Sequence, residues 1–193
     1  EEGVVWAGNV QGHIYKIERG NLQIIKTEPF LIDFIDAIYK DKQGYLWVGY
    51  RSIGIRKFGP KKNGWKLIGE FSPNNGYPEL RIRCSYADKK GNIFFGTRTN
   101  GLFIISAAGN KTWHINTSNG LSANWVTAIT EDNGHIYIAT NRGLNILTGD
   151  FSNPSIRKVN LLNEGLSEKI TSILLHDNKV LIGTEEGFYE YLI

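Results

Sequence analysis

One passage occurs five times in this chain of 193 residues. In its clearest copy, residues 126–147, two segments with alternating apolar residues flank the turn Asp132-Asn133-Gly134. A third segment follows the turn Asn141-Arg142-Gly143. Alternation with period two and frequent β-branched residues predict strands, and glycine at both turns favours tight antiparallel hairpins.

The spacing of the copies predicts the architecture. A small residue closes the second strand of every copy, at Gly8, Gly49, Gly96, Ala139 and Gly183. These positions are 41 to 47 residues apart, which leaves room for about four strands in each copy. This period is typical of β-propeller blades rather than of helical or leucine-rich solenoids.

A large apolar residue stands two positions before each small one. This column consists of Trp6, Trp47, Phe94, Tyr137 and Leu181. A single blade is too small to bury its own faces, so we expect the column to pack between neighbouring blades.

The two ends of the repeat series predict an open structure. The repeats cover approximately residues 1–31, 32–77, 78–121, 122–166 and 167–193. The first lacks its innermost strand and the last lacks its outermost strand. If both ends shared one blade, its second and third strands would be duplicated, which excludes a four-bladed ring closed in that way. We therefore expect one all-β domain over 1–193, an open arc of about five four-stranded antiparallel blades cut from a larger propeller.

Composition excludes several classes of protein. The net charge of +3 is spread over the repeats, so it gives no support for nucleic-acid binding. No apolar run reaches the ~18 residues of a membrane span, and we expect no direct membrane insertion. The single cysteine, Cys84, is expected to be a buried small hydrophobe. Because the chain begins with Glu1 and contains no methionine, we expect a mature or excised piece of a longer protein.

The repeats resemble a known family. Three copies read IYKDKQGYLWVGYRSIGI, SYADKKGNIFFGTRTNGL and AITEDNGHIYIATNRGL, with lead-ins of the Gly-Leu-Ser type at 119–122 and 164–167. This pattern closely resembles the two-component regulator propeller repeat of periplasmic sensor regions in hybrid two-component systems, chiefly from Bacteroidetes. The departures are Ala139 in place of glycine and a last turn, residues 176–179, without glycine.

The resemblance implies a function. Members of that family are sensor ectodomains, followed in the intact protein by a further β-domain, a membrane span, a kinase and a response regulator. Their inputs are often oligosaccharides. We therefore expect a non-enzymatic periplasmic sensor segment without cofactors. Its expected partners are an oligosaccharide ligand, and either another copy of the chain or the remaining propeller blades.

The topology indicates where a ligand would bind. In each blade the turn between the second and third strands and the connection to the next blade share one face, here called the upper face. Six of its side chains are the candidate ligand-binding residues: Tyr50, Arg51, Arg81, Arg98, Trp125 and Arg142. Aromatic planes beside charged and amide groups suit sugars, and arginines favour anionic ones. On the opposite face we expect Asp41, Asp88 and Asp132 to close turns rather than to bind calcium.

Two other functions stay open. The same repeats could form a protein-docking module of a surface or secretion assembly, without affinity for small molecules. They could also form a carbohydrate-active enzyme that depends on a carboxylate such as Glu79 or Glu185. The four histidines, which fall in different repeats, show no metal-binding spacing, and we expect no metal site.

Overall fold

The computed structural model describes residues 3–159 and 169–192. The chain forms two compact units, residues 1–82 and 83–193, and each is described on its own. The regular structure of the described residues is β-strand apart from two 3₁₀ turns, Pro73–Asn75 and Thr117–Asn119. The second lead-in, at 164–167, lies outside the described residues.

Unit 1 contains two blades. Its strands are β1 (Val4–Gly8), β2 (Ile14–Glu18), β3 (Asn21–Ile25), β4 (Thr27–Glu28), β5 (Ile35–Lys40), β6 (Leu46–Tyr50), β7 (Gly54–Lys61) and β8 (Gly64–Phe71). Strand β9 (Ile82–Ala87) begins at the last residue of unit 1. Blade 1 is the antiparallel sheet β1-β2-β3, and blade 2 is built on the antiparallel series β5-β6-β7-β8. The second repeat therefore has the four predicted strands.

The short strand β4 was not predicted. Thr27 and Glu28 pair in parallel with Trp65 and Lys66 of β8, so blade 2 gains a fifth strand at its outer edge. The sequence of residues 22–27 alone would favour one continuous strand. In the structure, the carbonyl of Lys26 accepts a hydrogen bond of 2.9 Å from the Trp65 amide. The residues after Lys26 therefore pair with β8.

Blades 1 and 2 share an apolar core. Ile14 of blade 1 is buried with Leu46, Val48 and Phe58 of blade 2, and Trp6 packs against this cluster. The Trp6 and Trp65 rings meet edge-on at 6.1 Å between centroids. This contact agrees with the inter-blade packing predicted for the apolar column.

Unit 2 continues the pattern with three blades. Its further strands are β10 (Ile93–Thr97), β11 (Leu102–Ile105), β12 (Thr112–Ile115), β13 (Val126–Asp132), β14 (His135–Thr140), β15 (Gly143–Thr148), β16 (Ser155–Val159), β17 (Ile170–His176), β18 (Lys179–Thr184) and β19 (Phe188–Leu192). Blade 3 is β9-β10-β11-β12, blade 4 is β13-β14-β15-β16, and blade 5 is β17-β18-β19.

The cores of unit 2 also lie between successive blades. Phe94 of blade 3 is fully buried in a cluster that includes Val126 and Ile138 of blade 4. Tyr137 of blade 4 is buried beside Ile170 and Ile182 of blade 5. Both aromatic members of the predicted column in this unit therefore pack where the repeat pattern places them.

Two of the three acidic hairpins have the expected structural role, whereas the Asp132 carboxylate accepts a hydrogen bond from the side chain of Asn133 at 3.0 Å. Asp41 accepts hydrogen bonds from the Tyr45 amide at 2.7 Å and from Trp47 Nε1 at 2.8 Å. Asp88 accepts from the Asn92 amide at 2.7 Å and from its side-chain nitrogen at 2.6 Å. Each of these two carboxylates thus closes its own hairpin. No group of three or more His, Cys, Asp or Glu that could hold a metal ion occurs among residues 3–159 and 169–192.

The predicted fold class is confirmed. The described part of the chain is an all-β series of antiparallel, propeller-type blades, and blades 1 and 5 have three strands each. None of its helical segments is long and apolar enough to cross a bilayer.

Candidate ligand-binding cleft

The connection from blade 3 to blade 4 is folded tightly by its own side chains. Asn116 caps the 3₁₀ turn Thr117–Asn119, because its side-chain oxygen accepts from the Ser118 amide at 2.8 Å. The Asn119 side chain accepts from the Asn116 amide at 2.6 Å in return. This reciprocal capping satisfies backbone groups that a short helical turn otherwise leaves open. The capping therefore fixes the conformation of the connection, which forms one wall of the cleft described below.

Ser122 of the Gly-Leu-Ser lead-in attaches this connection to blade 4. Its amide donates to the side-chain oxygen of the fully buried Asn145 at 2.9 Å, and the Asn145 side-chain nitrogen donates to Ser122 Oγ at 2.9 Å. Ser122 Oγ also lies 2.8 Å from Thr140 Oγ1. A buried amide needs such partners, so the serine has a structural role at this position.

Above this network lies an open cleft of about 340 Å³ within unit 2. Three of the six candidate residues line it, namely Arg98, Trp125 and Arg142. The guanidinium carbon of Arg98 lies 5.0 Å from the centroid of the Trp125 ring, within the range of a cation–π interaction. Both arginines are exposed and Trp125 is half-buried, so all three face solvent.

The other described residues of the cleft wall are uncharged, and all but one of them are polar. They are Thr99, Thr117, Ser122, Ala123, Asn124 and Asn141. Asn124 accepts a hydrogen bond from the Thr117 amide at 2.9 Å, which leaves its side-chain nitrogen available. The side-chain oxygen of Asn141 is buried without a hydrogen-bond partner in the described structure. An indole plane surrounded by hydroxyl, amide and guanidinium groups can stack on and hydrogen-bond a sugar ring.

No acidic side chain lines the cleft among residues 3–159 and 169–192. Its two arginines therefore give it a positive potential, which favours an anionic ligand. The described part of the lining likewise contains no carboxylate or histidine that could serve as general acid or base.

The other three candidate residues lie in unit 1, with different surroundings. Tyr50 is fully buried in the core of blades 1 and 2, and burial raises the pKa of its hydroxyl to about 12. It is therefore not available to a surface ligand. Alternation could have shown this, because Leu46, Val48 and Tyr50 share one face of β6.

Arg51 and Arg81 are both engaged by carboxylates. Arg51 Nε and Nη2 donate to the two carboxylate oxygens of Asp36 at 2.9 and 2.7 Å, and its guanidinium lies 3.9 Å from the Phe34 ring centroid. The hydrogen bond to Asp36 raises the pKa of Arg51. Arg81 Nε donates to Glu79 at 2.8 Å on the exposed surface.

Sequence reasoning did not select Thr99, Thr117 or Ser122 as site residues. The Gly-Leu-Ser lead-in was a signal for Ser122, but its hydrogen bonds to blade 4 could not be read from spacing. The two carboxylates considered for catalysis are held by cations, since Glu185 pairs with Lys169 at 2.6 Å and Glu79 with Arg81.

Comparison with known proteins supports the resemblance seen in the repeats. Residues 29–52, which contain β5 and β6, match the family model described as "Two component regulator propeller". This segment matches a two component regulator propeller repeat. The family recognised in the sequence is thereby confirmed. A search of curated protein sequences finds no match.

Solved structures extend the likeness over the whole chain. The extracellular domain described as hybrid two component system BT3049 from B. thetaiotaomicron is 27% identical, with a TM-score of 0.71 over 98% of this chain. The corresponding domain of BT4673 from the same organism is 20% identical, with a TM-score of 0.75 over 98%. The chain spans about a quarter of the length of these two proteins, 25% and 26% respectively.

An enzyme shares the fold. Virginiamycin B lyase from Staphylococcus aureus is 15% identical, with a TM-score of 0.69 over 100% of this chain and 68% of its own. At this identity the likeness concerns the propeller fold alone.

Proposed function

We propose that this chain is part of the ligand-sensing propeller of a non-enzymatic, periplasmic receptor in a hybrid two component system, and that its unit 2 cleft binds an oligosaccharide. The similarity to extracellular domains of such systems supports the receptor role. The cleft that joins Trp125 to Arg98 and Arg142 is the observation that supports ligand binding.

The proposed binding mode follows from the cleft wall. A pyranose ring stacks on Trp125, and its hydroxyl groups bond the amides of Asn124 and Asn141. The capped connection and the Ser122 network hold Trp125 in place before the ligand arrives, which reduces the entropic cost of binding. Ligand occupancy then changes how this segment contacts the rest of the receptor.

Calorimetric titration tests this function. The chain is titrated with neutral malto- and xylo-oligosaccharides and with acidic oligogalacturonate and chondroitin sulfate fragments. Trp125→Ala should weaken binding by about tenfold or more, equivalent to about 1.4 kcal/mol. Arg81→Ala, an exposed arginine outside the cleft, is the matched control and should bind as the wild type does. Binding that survives Trp125→Ala unchanged would place recognition elsewhere.

A docking role is the second candidate, and one observation favours it. On blade 1, Val5, Leu22 and Ile24 are 58%, 62% and 61% exposed. Val5 and Leu22 are both paired with Ile17, so they share one pleat face of the sheet. This apolar face fits a further blade or another copy of the chain. Sedimentation of the wild type and Leu22→Asp tests self-association, which the variant should weaken.

A further inference from the structure

In blade 2, Asp36 and Arg51 form an ion pair, and the same two positions of the repeat can be compared in blade 3. The register between β5 and β6 shifts between Ile35 and Ala37, so Asp36 is the extra residue of a β-bulge. A bulge redirects its side chain. Here the carboxylate of Asp36 is aimed at Arg51, the residue that follows β6, and binds it through both oxygens.

The corresponding positions of blade 3 carry two arginines. Arg83 follows Ile82 at the start of β9, as Asp36 follows Ile35 at the start of β5. Arg98 follows Gly96 by two residues, as Arg51 follows Gly49. Blade 3 therefore has two cations where blade 2 has a cation and its carboxylate. No carboxylate of the described residues forms an ion pair with Arg83 or Arg98.

In unit 2, some of the repeat positions equivalent to Asp36 and Arg51 carry buried polar atoms that have no hydrogen-bond partner among the described residues. The Nε of Arg83 is buried and has no hydrogen-bond partner in the described structure. The same holds for Oγ1 of Thr127, which is the bulge residue of β13, and for the side-chain oxygen of Asn141 in the cleft. Buried polar groups normally have partners, and such exceptions mark places where a ligand or water completes the bonding.

We infer that an anionic group, such as a carboxylate, sulfate or phosphate, binds between Arg83 and Arg98 and takes the place that the Asp36 carboxylate has in blade 2. Guanidinium groups match the planar, bidentate geometry of such oxyanions. This inference rests on the proposed function, because it makes the ligand of the cleft an acidic saccharide. The sugar ring stacks on Trp125 while its anionic substituent reaches Arg98, which lines the cleft, and through it the neighbouring Arg83 outside the described lining.

The direct test is Arg83→Asp, which rebuilds the blade 2 ion pair in blade 3. The introduced carboxylate should pair with Arg98 and thereby take the place of the bound anion. Binding of oligogalacturonate should then fall by about tenfold or more, because charge-assisted hydrogen bonds are lost. Binding of neutral oligosaccharides should be unchanged. Arg83→Gln, which removes the charge at similar length, is the second variant, and thermal unfolding without ligand checks that both fold.

The controls separate this inference from the proposed function. Inorganic sulfate, glucuronate and glucose are titrated as minimal probes. If the anions bind wild type but not Arg83→Asp, while no oligosaccharide binds, the anion site stands and the saccharide function fails. If neutral oligosaccharides bind through Trp125 and acidic ones bind no better, the function stands and the anion site fails. Oligogalacturonate binding that is equal in wild type, Arg83→Asp and Arg83→Gln overturns the inference.

Discussion

Gly96 shows at the scale of one residue why a small side chain recurs in every repeat. A Cβ atom at this position would lie 2.4 Å from Cys84 Sγ and 2.7 Å from Val126 Cγ1. Val126 begins the innermost strand of the next blade, so the glycine allows that strand to approach. Gly8 and Ile35 repeat this contact in unit 1.

Gly96→Ala should therefore lower the free energy of unfolding by about 1–3 kcal/mol, as expected for overpacking. Gly69→Ala is the control, because a Cβ there would meet only Lys57 Cβ at 3.5 Å. That substitution should change stability by less than about 1 kcal/mol. Urea denaturation measures both, and equal effects of the two substitutions would contradict this packing role.

Tyr50 is expected to make the stability of unit 1 decrease in the alkaline pH range. Burial raises the pKa of its hydroxyl from the ordinary 10.0 to about 12, since the buried site disfavours the phenolate. The unfolded chain releases this proton at lower pH than the folded chain does. Stability is thus unaffected below the ordinary pKa and falls as the pH rises from about 10 to about 12.

Tyr50→Phe should reduce this alkaline loss. It removes the titrating group and also a buried hydroxyl without a hydrogen-bond partner in the described structure. Urea midpoints of the variant and wild type, measured at about pH 8 and about pH 11, give the comparison. An equally steep loss of stability in the variant would show that Tyr50 does not titrate in this way.

At the scale of the element, Trp47 of the second strand connects several parts of blade 2. Trp47 is buried, its ring centroid lies 5.9 Å from that of Phe71, and its Nε1 donates to Asp41. Lys57 Nζ lies 4.7 Å from the Trp47 ring centroid, and burial lowers the pKa of this lysine. Trp47 thus joins the hairpin turn, β6 and β8 of one blade.

Trp47→Ala should cost about 3–5 kcal/mol, as a large truncation in a core does. Trp47→Phe keeps an aromatic ring but removes the bond to Asp41, so it should cost much less. Denaturation with both variants separates packing from hydrogen bonding. A denaturation midpoint and slope unchanged in Trp47→Ala would contradict this packing role of Trp47.

The repeat pattern predicted the strands but not all of their partners. Glycine spacing and alternation indicated β5 to β8 because each strand alternates and each turn has its own residues. The parallel strand β4 depends on the contact between Lys26 and Trp65, which lie 39 positions apart and have no local signal. The cleft shows the same limit. Upper-face topology selected Arg98, Trp125 and Arg142, whereas the burial of Tyr50 and the Arg51–Asp36 pair depend on three-dimensional packing.

At the scale of the whole molecule, the chain combines a repetitive scaffold with one irregular upper surface in unit 2. Within each unit, the buried positions recur from blade to blade because neighbouring blades pack in a similar way. The residues of the cleft differ between repeats, which is typical of a surface that binds a ligand.

The most direct test of this account is a thermal-shift measurement with neutral and acidic oligosaccharides. A ligand at a hundred times its dissociation constant stabilises the folded chain by about 2.7 kcal/mol. We predict a rise in Tm that is lost in Trp125→Ala, reduced for acidic oligosaccharides in Arg98→Ala and retained in Arg81→Ala. A folded wild type whose Tm is unchanged by every saccharide, or a rise that persists in Trp125→Ala, would contradict a sensing cleft in unit 2.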